Sequence, residues 1–273
     1  GMPAVVQQYV RAQSIRLCDM ELAGLVQTYR DDFAKYGKRA DATLLRLVFD
    51  RGPGFVGRKV KYSEIDRERK AEEIRQALEQ LERARILYRV YHSSGNAIPL
   101  RAERQERSFK LLYLDSGLMM KSLGSGVLDL VREDLVTAHR GSTAEQFVGR
   151  QWFDGYPLYE EPELHYWNRE RAGTSSEVDY LVQIEGQIVP VEVKAGATGS
   201  LKSLHVFASE KRSPLAVRFN TNHPAVDTVT SRVPRLDEHT FTLISLPLYL
   251  ATEIRRIVPG AAPTYPRSAQ TRA

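Results

Sequence analysis

The pattern of apolar and polar positions divides the chain into a helical first part and a later part in which helices alternate with short strands. Val5–Ala12 reads as a helix, and Glu21–Tyr36 as a second, with Leu22, Leu25, Val26, Tyr29 and Phe33 at helical spacing and Asp19 as its N-cap. Ala42–Arg51 is a third; it carries Leu44, Leu45, Leu47 and Val48 and stops at Gly52-Pro53-Gly54. Lys61–Arg69 gives a short helix and Lys70–Arg85 a longer one, whose Ile74, Ala77, Leu78 and Leu81 form a single apolar face. Ile86–His92 and Phe109–Asp115 then read as strands on either side of the polar loop Ser93–Ser108.

The Gly- and Ser-punctuated stretch Ser116–Leu130 marks the passage to a second domain, and the pattern predicts a helix over Val127–Thr137. Another helix begins at Ser142 and runs to about Trp152; Ser142 as N-cap with Glu145 reaching back to it makes a capping box. Tyr156–Tyr159 and Leu164–Trp167 are strand material, with Asn168–Ser175 as a loop before a hairpin over Ser176–Ala195. Beyond it come a helix over Ser200–Lys211, strands at Leu215–Asn220 and Phe241–Leu246, and a helix over Leu248–Val258. The remaining Pro259–Ala273 is rich in Pro, Ala, Ser and Thr and is expected to be a mobile tail. These boundaries give domains over 1–125 and 126–258 and a tail over 259–273.

The hairpin carries the chemistry. Its turn falls at Glu185-Gly186, and pairing symmetric about that dipeptide sets Asp179 opposite Glu192 and Glu177 opposite Lys194. Alternation puts Val178, Tyr180, Val182, Ile184, Val189, Val191 and Val193 on a core face. Glu177, Asp179, Gln183, Glu192 and Lys194 fall on the other, with Leu181, Ile188 and Pro190 nearer the turn. Two carboxylates facing each other at roughly 4.5–5.5 Å between Cβ atoms repel unless a cation stands between them. Lys194 and a divalent metal both fit that requirement.

Composition narrows the setting. The 42% hydrophobic and 27% charged content is that of a globular protein, and no apolar run reaches the roughly 18 residues that span a membrane. No membrane partner is expected. The single cysteine, Cys18, excludes an internal disulfide framework and fits a reducing, cytoplasmic setting. Six scattered histidines form no zinc-binding pattern. A net charge of +5 permits a nucleic-acid partner.

Helices followed by a strand hairpin, in the order seen in the first part, resemble a winged helix-turn-helix. The would-be recognition helix is acidic, with Glu72, Glu73, Glu79 and Glu82 against Arg75 and Arg83. Basic residues gather instead at Arg58, Lys59 and Lys61 and in the wing region at Arg101, Arg104, Arg107 and Lys110.

The second part, ordered helix, strand, hairpin, helix, strand, resembles the PD-(D/E)XK restriction-endonuclease-like fold, an α/β domain with a central mixed sheet. Asp179 matches the Asp of that motif, and Glu192-Val193-Lys194 its acid-x-Lys. The resemblance implies a metal-dependent phosphodiester hydrolase. Asp179 and Glu192 would hold Mg²⁺ or Mn²⁺ with Glu145 as an auxiliary ligand, and Lys194 would orient water or offset developing charge. The implied partner is nucleic acid, DNA ahead of RNA. Trp167 reads as a strand-edge aromatic, Arg169 as a solvated residue and Lys202 as a surface lysine.

A broader similarity runs through Tyr29–Tyr36, Lys61–Ile65, Phe109–Leu118, Glu145, Tyr166–Arg169 and the hairpin. It is to a prokaryotic family of AAA-type P-loop ATP-binding proteins with a C-terminal domain of unknown function. The similarity implies that this chain corresponds to the part after the ATPase module, with that module or a homologue of it as partner. No GxxxxGK[ST] segment is present, so ATP binding is not expected of this chain. The alternative to a nuclease is a non-catalytic regulatory or nucleic-acid-docking module of such an ATPase.

Overall fold

A single eight-stranded mixed sheet in the order β2-β1-β3-β4-β5-β6-β8-β7 runs through the protein. It is seen in a computed structural model that describes residues 1–35, 39–125, 140–156, 159–160, 162–171 and 174–261. The strands are β1 (Leu87–Ser93), β2 (Arg104–Tyr113), β3 (Leu164–Arg171), β4 (Thr174–Ile184), β5 (Gln187–Val193), β6 (Leu215–Asn220), β7 (Ala225–Ser231) and β8 (His239–Pro247). The pairs β1–β2, β3–β4, β4–β5 and β7–β8 are antiparallel. The pairs β1–β3, β5–β6 and β6–β8 are parallel.

The N-terminal helices are α1 (Pro3–Ala12), α2 (Ile15–Asp32), α3 (Arg39–Arg51), α4 (Tyr62–Ile65) and α5 (Ala71–Arg83). Helix α2 starts earlier than the apolar spacing predicts, because Ser14 accepts a bond from Leu17 N and caps it there. Asp19, expected as the cap, lies inside the helix and bonds Lys121 Nζ at 2.6 Å. Tyr36 lies outside the described residues. Ile74, Ala77, Leu78 and Leu81 of α5 are all buried, as their spacing requires. They join Leu22, Phe49, Phe109, Leu111 and Tyr113 in one core.

The hairpin expected to project as a wing is built into the sheet, since β1 pairs in parallel with β3 through Val90↔Leu164. Its alternate side chains serve two layers. Phe109, Leu111 and Tyr113 meet the N-terminal helices, while Val90 and Leu112 join the core beneath the later helices.

Helix α6 (Ser116–Ser122) follows, and the predicted helix over 127–137 lies outside the described residues. Helices α7 (Arg140–Asp154) and α9 (Ile254–Ala261) cover one face of β3–β6, and α8 (Lys202–Lys211) covers the other. Three elements differ from expectation. The loop placed at 168–175 is largely strand, because β3 and β4 pair as far as Arg171↔Thr174. Tyr156 is a bend, and 157–158 lie outside the described residues. Strand β7 carries no sequence signal: only Ser231 of its residues is buried, so no apolar alternation marks it.

Candidate functional site

The turn between β4 and β5 forms at Glu185 and Gly186, with φ of 47° and 77°, a pair of left-handed residues that matches the twist of a hairpin. The symmetric register follows from it and holds from Ile184↔Gln187 to Tyr180↔Val191. At the next step the ladder opens, and the Asp179 carboxylate takes the place of a backbone acceptor: Oδ2 accepts from Val193 N at 2.8 Å.

A bulge explains the opening. His165 pairs with Leu181 but Trp167 with Val178, so Asp179 and Tyr180 together oppose the single residue Tyr166. The extra residue turns Val178 to the face opposite Tyr180. Val178 accordingly packs with Trp167, Leu181, Leu204 and Phe207 under α8, away from the core that holds Tyr180, Val182, Val189, Val191 and Val193. Both faces of the hairpin are therefore covered. The expected wet face does not exist near Leu181 and Ile188, and Trp167 is a buried residue of a central strand, 3% exposed, not an edge aromatic.

The same bulge separates Glu177 from its expected partner. Glu177 Oε1 lies 2.7 Å from Lys110 Nζ, while Lys194 Nζ lies 2.5 Å from Glu192 Oε1. Lys110 is not an exposed cation of a wing. Its side chain is 1% exposed and also meets Glu145 Oε1 at 2.8 Å and Asp179 Oδ1 at 3.7 Å. The signal was present in the sequence as a charged residue inside the apolar run Phe109-Lys110-Leu111-Leu112-Tyr113.

Helix α7 delivers Glu145. Because it starts at Arg140, Ser142 is already helical and does not serve as its N-cap; the Glu145 side chain turns instead to Lys110. Close approach of the helix to the sheet is set by Gly149, where a Cβ would come within 2.5 Å of Tyr180 Oη and 2.6 Å of Leu112 Cδ1. Tyr180 Oη then donates to the Glu145 carbonyl at 2.8 Å.

Four carboxylates, Glu145, Glu177, Asp179 and Glu192, thus share two ammonium groups. Burial, and behind it repulsion from Asp179, pushes Glu192 up to about 8 against the pull of Lys194. Burial also pushes Glu145 up to about 7, opposed by Lys110. For Lys110, burial disfavours the charge, but the three carboxylates around it outweigh that and hold it protonated.

Glu192 Oε2 is buried without a hydrogen-bond partner among the described residues. Two further orphaned atoms lie on the adjacent strand, Arg218 Nε and Asn220 Nδ2. Arg218 is the register partner of Glu192 and donates through Nη2 to Ser245 Oγ at 2.8 Å. Neither residue stood out in the sequence, where each is one polar position in a short buried strand.

The structure brings Asp179, Glu192 and Lys194 together and directs Glu145 to a separate cation. Among the described residues no group of three or more His, Cys, Asp or Glu side chains is arranged to hold a metal ion. The orphaned oxygen of Glu192 beside the Asp179 charge fits a two-carboxylate site; Glu145, bonded to Lys110, does not complete it. Arg169 is not solvated, since it pairs with Glu210 of α8. Lys202 opens α8 on the surface.

Residues 140–249 match the model of a domain of unknown function, DUF4143. Residues 1–128 match that of a second domain of unknown function, DUF8612. Searches of the curated proteins and of the solved structures gave no match. The DUF4143 match takes in Glu145, Asp179, Glu192 and Lys194. Lys110, the cation at the centre of the acid cluster, belongs to the DUF8612 match. Among the described residues no helix is long and apolar enough to cross a membrane.

Proposed function

We propose that the second half of the chain is a PD-(D/E)XK-like domain that hydrolyses phosphodiester bonds of nucleic acid with the help of a divalent cation. The observation that carries this reading is the buried, unpartnered Oε2 of Glu192, raised in pKa by burial and by Asp179 and lying one residue from the end of a strand. A carboxylate in that condition needs positive charge, and a single lysine does not satisfy both of its oxygens. Asp179 and Glu192 would hold Mg²⁺ or Mn²⁺, which supplies Lewis acidity to the scissile phosphate. Lys194, the residue just past the end of the strand that carries Glu192, stands where an ammonium group would steady water or a developing charge. Asp179 is held for this role by the bond from Val193 N, and Glu145 supports it indirectly by fixing Lys110.

The first half is read as winged-helix-like, on the order α3, α4, α5, β1, β2 and on the short segment that bridges Val56 to Leu111 and Val60 to Phe109. DUF4143 is a domain often found in AAA-ATPase-associated proteins, which supports an ATPase of that kind as partner.

A second reading is favoured by Lys110. An ammonium group already paired with Glu145, Glu177 and Asp179 suits a nuclease-like domain that has become a docking or regulatory module. The two readings separate in one assay. Cleavage of duplex and single-stranded DNA and RNA is followed with Mg²⁺ or Mn²⁺, using the native chain and folded Asp179→Asn and Glu192→Gln variants. Cleavage lost in both variants supports the nuclease. Intact substrates throughout, with either metal, leave the docking module.

A further inference from the structure

The basic residues of the first half do not form one patch. Arg101 and Arg104 turn to Glu163, and Arg104 also lies over the Tyr91 ring. Lys110 is consumed by the acid cluster. Apart from these stands a cavity of about 430 Å³ lined by Lys59, Lys61, Arg107, His92, Gln105 and Asn168, with the buried Ser108 among its lining. We propose that this cavity binds the sugar-phosphate backbone of duplex DNA and presents it to the acid cluster behind it; as a route to that cluster it rests on the nuclease-like reading.

Three features carry the assignment. Among the described residues the lining holds three cationic side chains and no carboxylate, although acidic residues pair with arginines elsewhere, as at Arg75 and Arg150. Lys61 and Arg107 are exposed and enter no ion pair among the described residues. The other lining groups are amides, an imidazole and a hydroxyl, which suit phosphate and sugar oxygens. Among the described residues no aliphatic side chain lines the cavity, which favours a polar, anionic ligand over a lipid surface or the apolar face of a helix.

The cavity is also a built feature. The segment that carries Lys59 and Lys61 is tied to β2 by Val60 N donating to Phe109 O at 2.8 Å. It is pressed against α7 at Gly57, where φ is 78° and a Cβ would stand 3.1 Å from Ser142 Cβ and 3.2 Å from Glu145 Oε2. The lining connects to the acid cluster. Ser108 Oγ shares a hydrogen bond of 2.8 Å with Tyr166 Oη, the Tyr166 ring lies 5.2 Å from Lys110 Nζ, and Asn168 is the register partner of Glu177. A backbone bound at Lys61 and Arg107 therefore runs beside Asn168 of β3, one strand from the Asp179 of β4.

The test is binding of a fluorescein-labelled DNA duplex of arbitrary sequence by the full chain, followed by anisotropy over a range of salt in EDTA. The native chain is compared with Lys61→Glu/Arg107→Glu and with Arg16→Glu, an exposed arginine of α2 far from the cavity in sequence. The expected result is salt-dependent binding that weakens on the order of tenfold in the double variant, with a log–log salt slope shallower by about 2, and little change in Arg16→Glu. No binding by the native chain, equal binding by the double variant, or an equal loss in Arg16→Glu overturns the proposal. Because EDTA removes the metal, loss of cleavage in Asp179→Asn with binding intact bears on the nuclease reading alone.

Discussion

Lys110 Nζ lies 2.8 Å from Glu145 Oε1, and this bond joins strand β2 of the first half to helix α7 of the second through groups that are almost wholly buried. A charge in that position is costly unless every partner is present. Lys110→Met should therefore destabilise the protein by about 3–5 kcal/mol in urea unfolding, because three carboxylates lose their shared cation. Adding Glu145→Gln should recover part of the loss, and a double variant no more stable than Lys110→Met alone would show that the pair is not coupled in this way.

The raised carboxylates give the stability a pH dependence of definite sign. With Glu145 near 7 and Glu192 near 8, the folded chain keeps protons that the unfolded chain has released above the ordinary value of 4.5. Their effect on stability is fully favourable only below that ordinary value, and it declines as pH rises through the folded values. The Tm should fall between about pH 5 and 8, and Glu192→Gln should flatten the fall; a native Tm that rises over this range contradicts the assignment.

Gly149 sets the distance between α7 and the sheet. Gly149→Ala puts a methyl group into Tyr180 Oη and Leu112 Cδ1, both in the buried interior. Overpacking of this kind costs about 1–3 kcal/mol, and here it should also displace Glu145 from Lys110. Chemical denaturation measures the cost, and a shift in the titration of Glu145 reports the displacement.

Trp167 meets Phe207 edge-on with ring centroids 5.2 Å apart, closing the core beneath α8. Trp167→Ala should cost about 3–5 kcal/mol by leaving a cavity between the hairpin and that helix. An exposed edge residue would lose far less, so equilibrium unfolding distinguishes the two positions.

Much of the candidate site was legible from local pattern. The Glu185-Gly186 turn needs left-handed residues and fixes the pairing from Ile184↔Gln187 to Tyr180↔Val191, which sets Asp179 beside the end of β5. The apolar faces of α5 and α8 follow from side-chain spacing alone, because a helix repeats at a fixed period. Such features depend on neighbours in sequence.

Long-range contacts decided the rest. The bulge opposite Tyr166 is a property of two strands in register, and no residue of β4 announces it; yet it moves Val178 to another core and sends Glu177 to Lys110. Glu145 could be read locally as half of a capping box until an ammonium group from 35 residues earlier claimed it. The sequence by itself determined the hairpin, its register from the turn as far as Tyr180↔Val191, and its acid-x-Lys end; the expected pairs Asp179–Glu192 and Glu177–Lys194 lie beyond that register. Only the tertiary structure decided which cation each carboxylate meets, because buried charges select partners across the fold by distance and desolvation, and a chain read in order carries neither.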